Sequence, residues 1–571
     1  MKSSDAIAEV LSANNIDYGF ELIGGMITHL VDSINVLGKT KMISLHHEQA
    51  AAFAAGGIAR ATNNNRLGLA LGTSGPGATN LITGIADCWL DGIPCVFITG
   101  QVNTNELKLQ RNIRQQGFQE LDIVSIVESI TKFSHQITCK EEIVPIIQKA
   151  IDISRSGRPG PVLIDIPMDL QRAELPDDVL NYLKNDAREQ EGAQAGIFND
   201  KIFDKVFTLL AKSQKPLFLI GGGAINEKHF DEWQRAISEH GIPHVSSLKG
   251  SEKTKHLPAH YGMIGSYGTR TANYAIQNCD LLIVLGSRMD VRQTGANTVD
   301  FARNAVIVQI DLDKDQLNNR VSADVNILSS CEKFLQIHLQ HIETDKNRSA
   351  NKHWNEVLKN HWESNFHDEY GDWTVSPYQV CQVLNQAFIG QPVQYVADVG
   401  NNQMWSAHSL LLGKEQAIHH SGGLGAMGFA IPTAIGVAYA AKCPTLILTG
   451  DGGAQLNIQE LDIIARERLP ILTIVFNNQS LGMVRAFQEM YFDGRNDSTY
   501  WSGYSSSFSS IGKAYNIESF TTAEIKELSK YISYFIENPK PMLIEILMSD
   551  ARECRPRLAF GNPIDKQYPE R

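Results

Sequence analysis

Two short segments carry residue types that can do chemistry together. GDGGAQLN occupies 450–457 and FNNQSLGM occupies 476–483, which sets Asp451 and Asn478 27 residues apart. An apolar run precedes each segment, so both residues are expected at the carboxyl ends of adjacent parallel strands. Side-chain oxygens of Asp451 and Asn478, with a backbone carbonyl at Ser480, suit a hard, octahedral Mg²⁺ that bridges a diphosphate. Gly450, Gly452 and Gly453 let the backbone approach the phosphates closely. A lone GDG would be an ordinary turn; its spacing from NN inside a strand–helix–strand frame favours the metal.

That frame occurs twice. LALGTSGPGATNLITGIADCWLDGIPCVFITG begins at Leu69, and LILTGDGGAQLNIQELDIIARERLPILTIVFNN begins at Leu446. Setting Pro94 on Pro470 gives an offset of 376 (470 − 94), which places Gly75 on Asp451, Gly77 on Gly453 and Ile98 on Ile474. Each copy reads as an apolar strand, a Gly-rich turn, a helix, a Pro turn and a second apolar strand, the βαβ pattern of a buried parallel sheet. Between the copies lie PLFLIGGG (216–223), LLIVLGSRMD (281–290) and AVIVQIDLD (305–313). Strand ends carrying Gly and Asp are where a doubly wound sheet binds a nucleotide. The chain therefore reads as α/β: three doubly wound parallel-sheet domains over 1–175, 195–340 and 370–550. Linkers are expected near 172–200 and 340–375, with a C-terminal tail over 551–571.

Composition sets the outer limits. The chain has 571 residues, 43% of them hydrophobic, and a formal net charge of −12. Such a balance argues against nucleic-acid binding through phosphate neutralisation. The uncharged stretches 67–86 and 421–441 have membrane-spanning length, but their Gly, Ser, Thr and Pro content favours buried strand–turn–helix cores. The N-terminus lacks an apolar h-region, and the eight cysteines form no C-x-x-C pair, so a cytoplasmic protein with reduced thiols is expected. His46-His47-Glu48 is not H-E-x-x-H, and no clustered Cys and His suggests zinc.

GDG followed by NN at this spacing resembles the thiamine-diphosphate-binding motif. Over nearly its whole length the chain resembles the acetolactate (acetohydroxyacid) synthase family. The matching segments are HHEQAAAFAAGGIAR (46–60), SGPGATNLITGIAD (74–87), FQELDIV (118–124), SGRPGPVLIDIP (156–167), DVRQTG (290–295), QMW (403–405) and SGGLGAMGFAIP (421–432). The resemblance implies outer domains of the thiamine-diphosphate-binding fold, a Rossmann-like middle domain, and a homodimer or homotetramer with active sites between subunits. Glu48 would hydrogen-bond the cofactor's aminopyrimidine and favour the imino tautomer that takes the thiazolium C2 proton; its bland reading is an acid at a helix N-terminus. Met427 would be the wedge that bends the cofactor. Gly24, Asn80, Gly400, Asn401, Asn402, Gly425, Gly482 and Met483 would contact the same cofactor. Phe118 and Gln119 would flank the reacting carbonyl. FAD is implied at Arg158, Met263, Arg288, Asp290 and Arg292, with Gly222, Gly223 and Asp311 cradling it, as a structural element more than a redox centre.

Departures from the family pattern bear on the substrate. Asn401-Asn402 stands for the usual Gln-His, and Ser266-Tyr267 for Met-His. Met168 replaces Lys, Ala486 replaces Gln and Phe487 replaces Trp. These changes suggest a larger, less polar acceptor pocket at Met168, Ala486 and Phe487. The leading expectation is a carboligase that decarboxylates pyruvate and passes the two-carbon unit to a ketone. The acceptor would be a keto-deoxy nucleotide sugar, as in the relatives that build yersiniose-type branched sugars. The alternatives are an ordinary acetolactate synthase, a flavin-linked pyruvate oxidase and a non-catalytic homologue. The presence of Glu48, Asp451 and Asn478 argues against the last.

Overall fold

The computed structural model describes residues 1–176, 179, 201–342, 348–366 and 373–570. Most of the first expected linker (172–200) and residues 343–347 and 367–372 of the second lie outside them, and much of the second is instead the helix Arg348–Asn365. Three six-stranded sheets, all parallel, form the body.

The first sheet holds β1 (Tyr18–Glu21), β2 (Lys41–Ser44), β3 (Gly68–Gly72), β4 (Cys95–Gln101), β5 (Phe133–Gln136) and β6 (Val162–Pro167), in the order β2-β1-β3-β4-β6-β5. The middle sheet holds β7 (Pro216–Ile220), β8 (His244–Ser246), β9 (His260–Met263), β10 (Leu281–Leu285), β11 (Val306–Asp311) and β12 (Val325–Leu328), in the order β12-β11-β10-β7-β8-β9. The third holds β13 (Val393–Ala397), β14 (Gln416–His420), β15 (Thr445–Gly450), β16 (Ile471–Asn477), β17 (Glu518–Thr522) and β18 (Met542–Leu547), in the order β14-β13-β15-β16-β18-β17.

The third sheet repeats the strand order of the first. An offset of 376 carries β4 onto β16 residue for residue, since 95 + 376 = 471 and 101 + 376 = 477. The central strands are apolar runs buried on both faces, as a sheet covered by helices on each side requires. The middle sheet has the order typical of doubly wound dinucleotide-binding folds, with the switch point between β7 and β10.

Two small-residue helices hold the outer sheets together. Glu48–Ala61 follows β2, and Ala430–Ala441 follows β14. A Cβ added to Gly436 would stand 1.9 Å from the Ala54 carbonyl oxygen, and one on Gly57 would stand 2.4 Å from that of Thr433. Only glycine permits this approach. A buried charge cluster ties in the middle sheet. The Arg60 guanidinium bonds Asp87 at 2.8 Å and Asp91 at 2.9 Å, while Lys249 reaches Asp91 at 3.2 Å.

The C-terminal residues differ from a plain tail. They fold over the middle sheet as an antiparallel pair, β19 (Arg557–Leu558) and β20 (Gln567–Tyr568). Ile564 enters the core beside Tyr261, Ala272 and Ile276. Asn273 donates to the Ile564 carbonyl at 2.9 Å, and Arg303 pairs with Asp565 at 3.0 Å.

Candidate active site

Asp451 opens the helix Asp451–Leu456 at the end of β15, whose Gly450 pairs with Phe476 of β16. Its carboxylate is buried and accepts the backbone N–H of Gly452 at 2.9 Å and of Ser480 at 3.1 Å. Burial pushes its pKa up to about 6 against those donors, and no cation is among the groups acting on it. A buried carboxylate is costly even with such donors and gains from a cation, so the site suits Mg²⁺. The side chain of Asn478 donates to the Ala551 carbonyl at 3.0 Å, which leaves its amide oxygen for a metal. The Ser480 hydroxyl donates to the Thr499 carbonyl at 3.0 Å, which fixes the turn that follows Asn478. Among the described residues no group of three His, Cys, Asp or Glu gathers; a cation here would depend on one carboxylate, amide oxygens and a phosphate.

The neighbouring residues converge on the same hollow. A Cβ on Gly482 would lie 2.7 Å from the Asn401 amide nitrogen and 2.8 Å from that of Asn478, and one on Gly450 would lie 3.1 Å from that of Asn402. Gly400 (φ +98°) and Gly425 (φ +69°) adopt backbone conformations that favour glycine, and the space a Gly400 Cβ would fill is open. The helix Asn401–Ser409 starts at Gly400 without a side-chain cap, a fitting end for an anion. Met427 is 38% exposed, so it is not core; its Cε comes within 3.6 Å of the Gly452 Cβ position. Gly453 packs on Asp398, a residue that sequence reasoning missed. Buried Asp398 accepts the N–H of Gly428 at 3.0 Å and of Ala430 at 3.3 Å, which anchors the Met427 turn.

A second hollow lies on the first sheet. Glu48 is the buried first residue of its helix, capped by His47 Nδ1, which accepts the Gln49 N–H at 3.0 Å. Its carboxylate accepts from Asn80 Nδ2 at 2.9 Å. A Cβ on Gly77 would lie 3.2 Å from Glu48 Oε1, one on Gly75 would lie 3.0 Å from the Gln119 carbonyl, and one on Gly24 would strike Thr73 at 2.5 Å. Gly24, Glu48, Asn80 and Gln119 thus share one lining. Gln119 is held at φ +66°, an uncommon conformation for a non-glycine residue. Phe118 is 80% exposed. The Ser74 hydroxyl, at the start of the segment 74–87, is buried in the same turn without a partner among the described residues. No hydrogen bond joins Glu48 to Asp451 or Asn478 within the chain.

At the switch point of the middle sheet lies a cavity of about 390 Å³. All eight residues expected around a flavin line it: Arg158, Gly222, Gly223, Met263, Arg288, Asp290, Arg292 and Asp311. A Cβ on Gly223 would come within 3.0 Å of Gly286 Cα, so small residues open this end. Asp311 ends β11, where burial raises its pKa against the pull of Arg158.

A cavity of about 230 Å³ has Asn401, Met483, Ala486 and Phe487 in its lining. Met168 does not line it: it opens a short helix after β6, on the first sheet. The C-terminal fold-back also brings Arg557 and Glu553 into the lining beside Arg292.

The comparisons with known proteins agree with this layout. Residues 1–126 match the model of the N-terminal TPP binding domain of thiamine pyrophosphate enzymes, 203–337 their central domain, and 398–546 their C-terminal TPP binding domain. The acetolactate synthase large subunit of Cyanidium caldarium is 33% identical over 97% of this chain and 94% of its own. That of Lactococcus lactis is 33% identical over 99% and 95%. The acetolactate synthase isozyme 2 large subunit of Escherichia coli is 32% identical over 98% of each.

Proposed function

Because the chain belongs to the acetolactate synthase family of thiamine pyrophosphate enzymes, we propose that it decarboxylates pyruvate and joins the two-carbon unit to a second pyruvate, giving acetolactate. The observation that carries this reading is the buried Asp451 carboxylate, held by the backbone N–H groups of Gly452 and Ser480 at a strand end next to that of Asn478. It would hold Mg²⁺ with Asn478 and the Ser480 backbone, and the glycines at 400, 450 and 482 would admit the diphosphate. The bound cofactor supplies the electron sink for loss of CO₂. Glu48, steadied by Asn80, would hold a proton for the cofactor's aminopyrimidine. Met427 would bear on the cofactor, and Phe118 and Gln119 would flank the reacting carbonyl.

Within one chain the Glu48 hollow and the Asp451 hollow are not hydrogen-bonded to each other, and Phe118 and Phe487 are exposed at their edges. This supports an assembly of at least two copies, each completing the other's site. FAD is proposed for the middle cavity, supported by the eight residues that line it.

A keto sugar as acceptor is the second reading, favoured by Ala486 and Phe487 in a cavity of about 230 Å³. The named relatives are all acetolactate synthases, which favours pyruvate. Loss of the metal ligand is the test. Asp451→Ala should abolish magnesium-dependent retention of thiamine diphosphate, and unchanged affinity across a magnesium titration would contradict the assignment.

A further inference from the structure

We propose that Arg557, on the folded-back C-terminal strand pair, is a specificity-determining residue that selects acceptors carrying an anionic group. The inference rests on the carboligase reading above. Arg557 lines the cavity that also holds Asn401, Met483, Ala486 and Phe487. Asn401 belongs equally to the diphosphate hollow, where it flanks the Gly482 position. A molecule in this cavity therefore lies against residues proposed to hold the cofactor.

The charges in the cavity do not cancel. Glu553 is its carboxylate, and Arg555 already meets it at 2.6 Å. Arg557 reaches the other Glu553 oxygen at 2.9 Å. Arg292 lines the same space. Two guanidiniums, Arg292 and Arg557, thus share the cavity with one carboxylate, and Arg555 outside it already engages that carboxylate. The Nε of Arg557 is buried and has no hydrogen-bond partner. A buried donor without an acceptor is costly and gains most from an anionic one. The side chain is also held in place: its guanidinium lies 5.1 Å from the centre of the Tyr568 ring, and the Leu558 N–H donates to the Ser266 carbonyl at 2.8 Å. A guanidinium fixed in this way recognises a carboxylate or phosphate at little entropic cost.

The test uses the full-length enzyme loaded with thiamine diphosphate, Mg²⁺ and FAD, with pyruvate as donor. Two acceptor pairs compete: 2-oxobutanoate against butanone, and dihydroxyacetone phosphate against dihydroxyacetone. In Arg557→Gln the anionic-to-neutral product ratio should fall by roughly 10-fold in at least one pair. The pair that responds identifies the anion as carboxylate or phosphate. Glu553→Gln keeps Arg557 but loses its charged partner, and its ratio should hold or rise. An unchanged ratio in Arg557→Gln, a proportional loss of all products, or the same fall in Glu553→Gln would overturn the assignment. Failure of the wild-type chain to form any carbon–carbon product would instead refute the carboligase reading itself.

Discussion

Replacing Gly436 by Ala tests how the outer sheets are held in register. Gly436 lies in Ala430–Ala441, and its added Cβ would stand 1.9 Å from the Ala54 carbonyl oxygen in Glu48–Ala61. Real Cβ atoms essentially never come closer than 3.0 Å to another heavy atom, so the helices must separate by at least 1.1 Å (3.0 − 1.9). Neither helix can yield alone, because the obstacle is backbone. Overpacking of this kind costs ~1–3 kcal/mol, and more when a backbone must move. Alanine regains about 1 kcal/mol over glycine through helix propensity, so the net effect is destabilising. The displaced helices carry Glu48 at one N-terminus and the Met427 turn at the other, so turnover should fall along with stability. Urea unfolding of wild type and Gly436→Ala reads the first effect. Gly25→Ala is the control, since its Cβ would meet nothing within 4 Å. An unfolding midpoint for Gly436→Ala at or above that of wild type would refute the close-packing argument.

Three further outcomes are expected. Glu48→Gln should keep thiamine diphosphate and Mg²⁺ but lose ~10²–10⁴-fold in turnover, because an amide cannot exchange the proton; wild-type pyruvate consumption would contradict this. Phe487→Trp adds volume beside Tyr491, whose ring centre lies 4.6 Å from that of Phe487. It should cut use of bulky ketones relative to pyruvate by roughly 10–200-fold, read from product ratios. Lys253 is buried against Asn63 and Asn226, and burial pushes its pKa down to about 7 from 10.5. Between those values the unfolded chain binds a proton that the folded chain does not, so this residue makes stability rise with pH there. Lys253→Met should flatten that part of the stability–pH curve; an unchanged slope would count against the assignment.

The outer sheets were legible because strand, glycine turn and helix follow one another in sequence. The 376-residue offset therefore placed β4 on β16 correctly. Asp451 and Asn478 were legible for the same reason: each ends a strand, and the strands are neighbours. Asp398 was not. In DVGNN it looks like a turn residue, and its purpose lies 30 residues on, in the N–H groups of Gly428 and Ala430. Nor was the C-terminal fold-back legible. RPRLAFGNPIDKQYPER has few apolar residues and no period, and its place depends on long-range bonds such as Asn273 to Ile564. That segment delivers Arg557 to the cavity that Phe487 lines. Met168 was grouped with that cavity by family position, whereas within one chain it lies on the first sheet.

The central claim is that this chain forms a carbon–carbon bond from pyruvate at the Asp451–Asn478 site. Its most direct test is the product stoichiometry with pyruvate alone, thiamine diphosphate and Mg²⁺. The account predicts one CO₂ and one acetolactate for every two pyruvates consumed, with both lost when magnesium is chelated. Release of CO₂ with only acetaldehyde or acetate as product, or pyruvate left unconsumed, would contradict it.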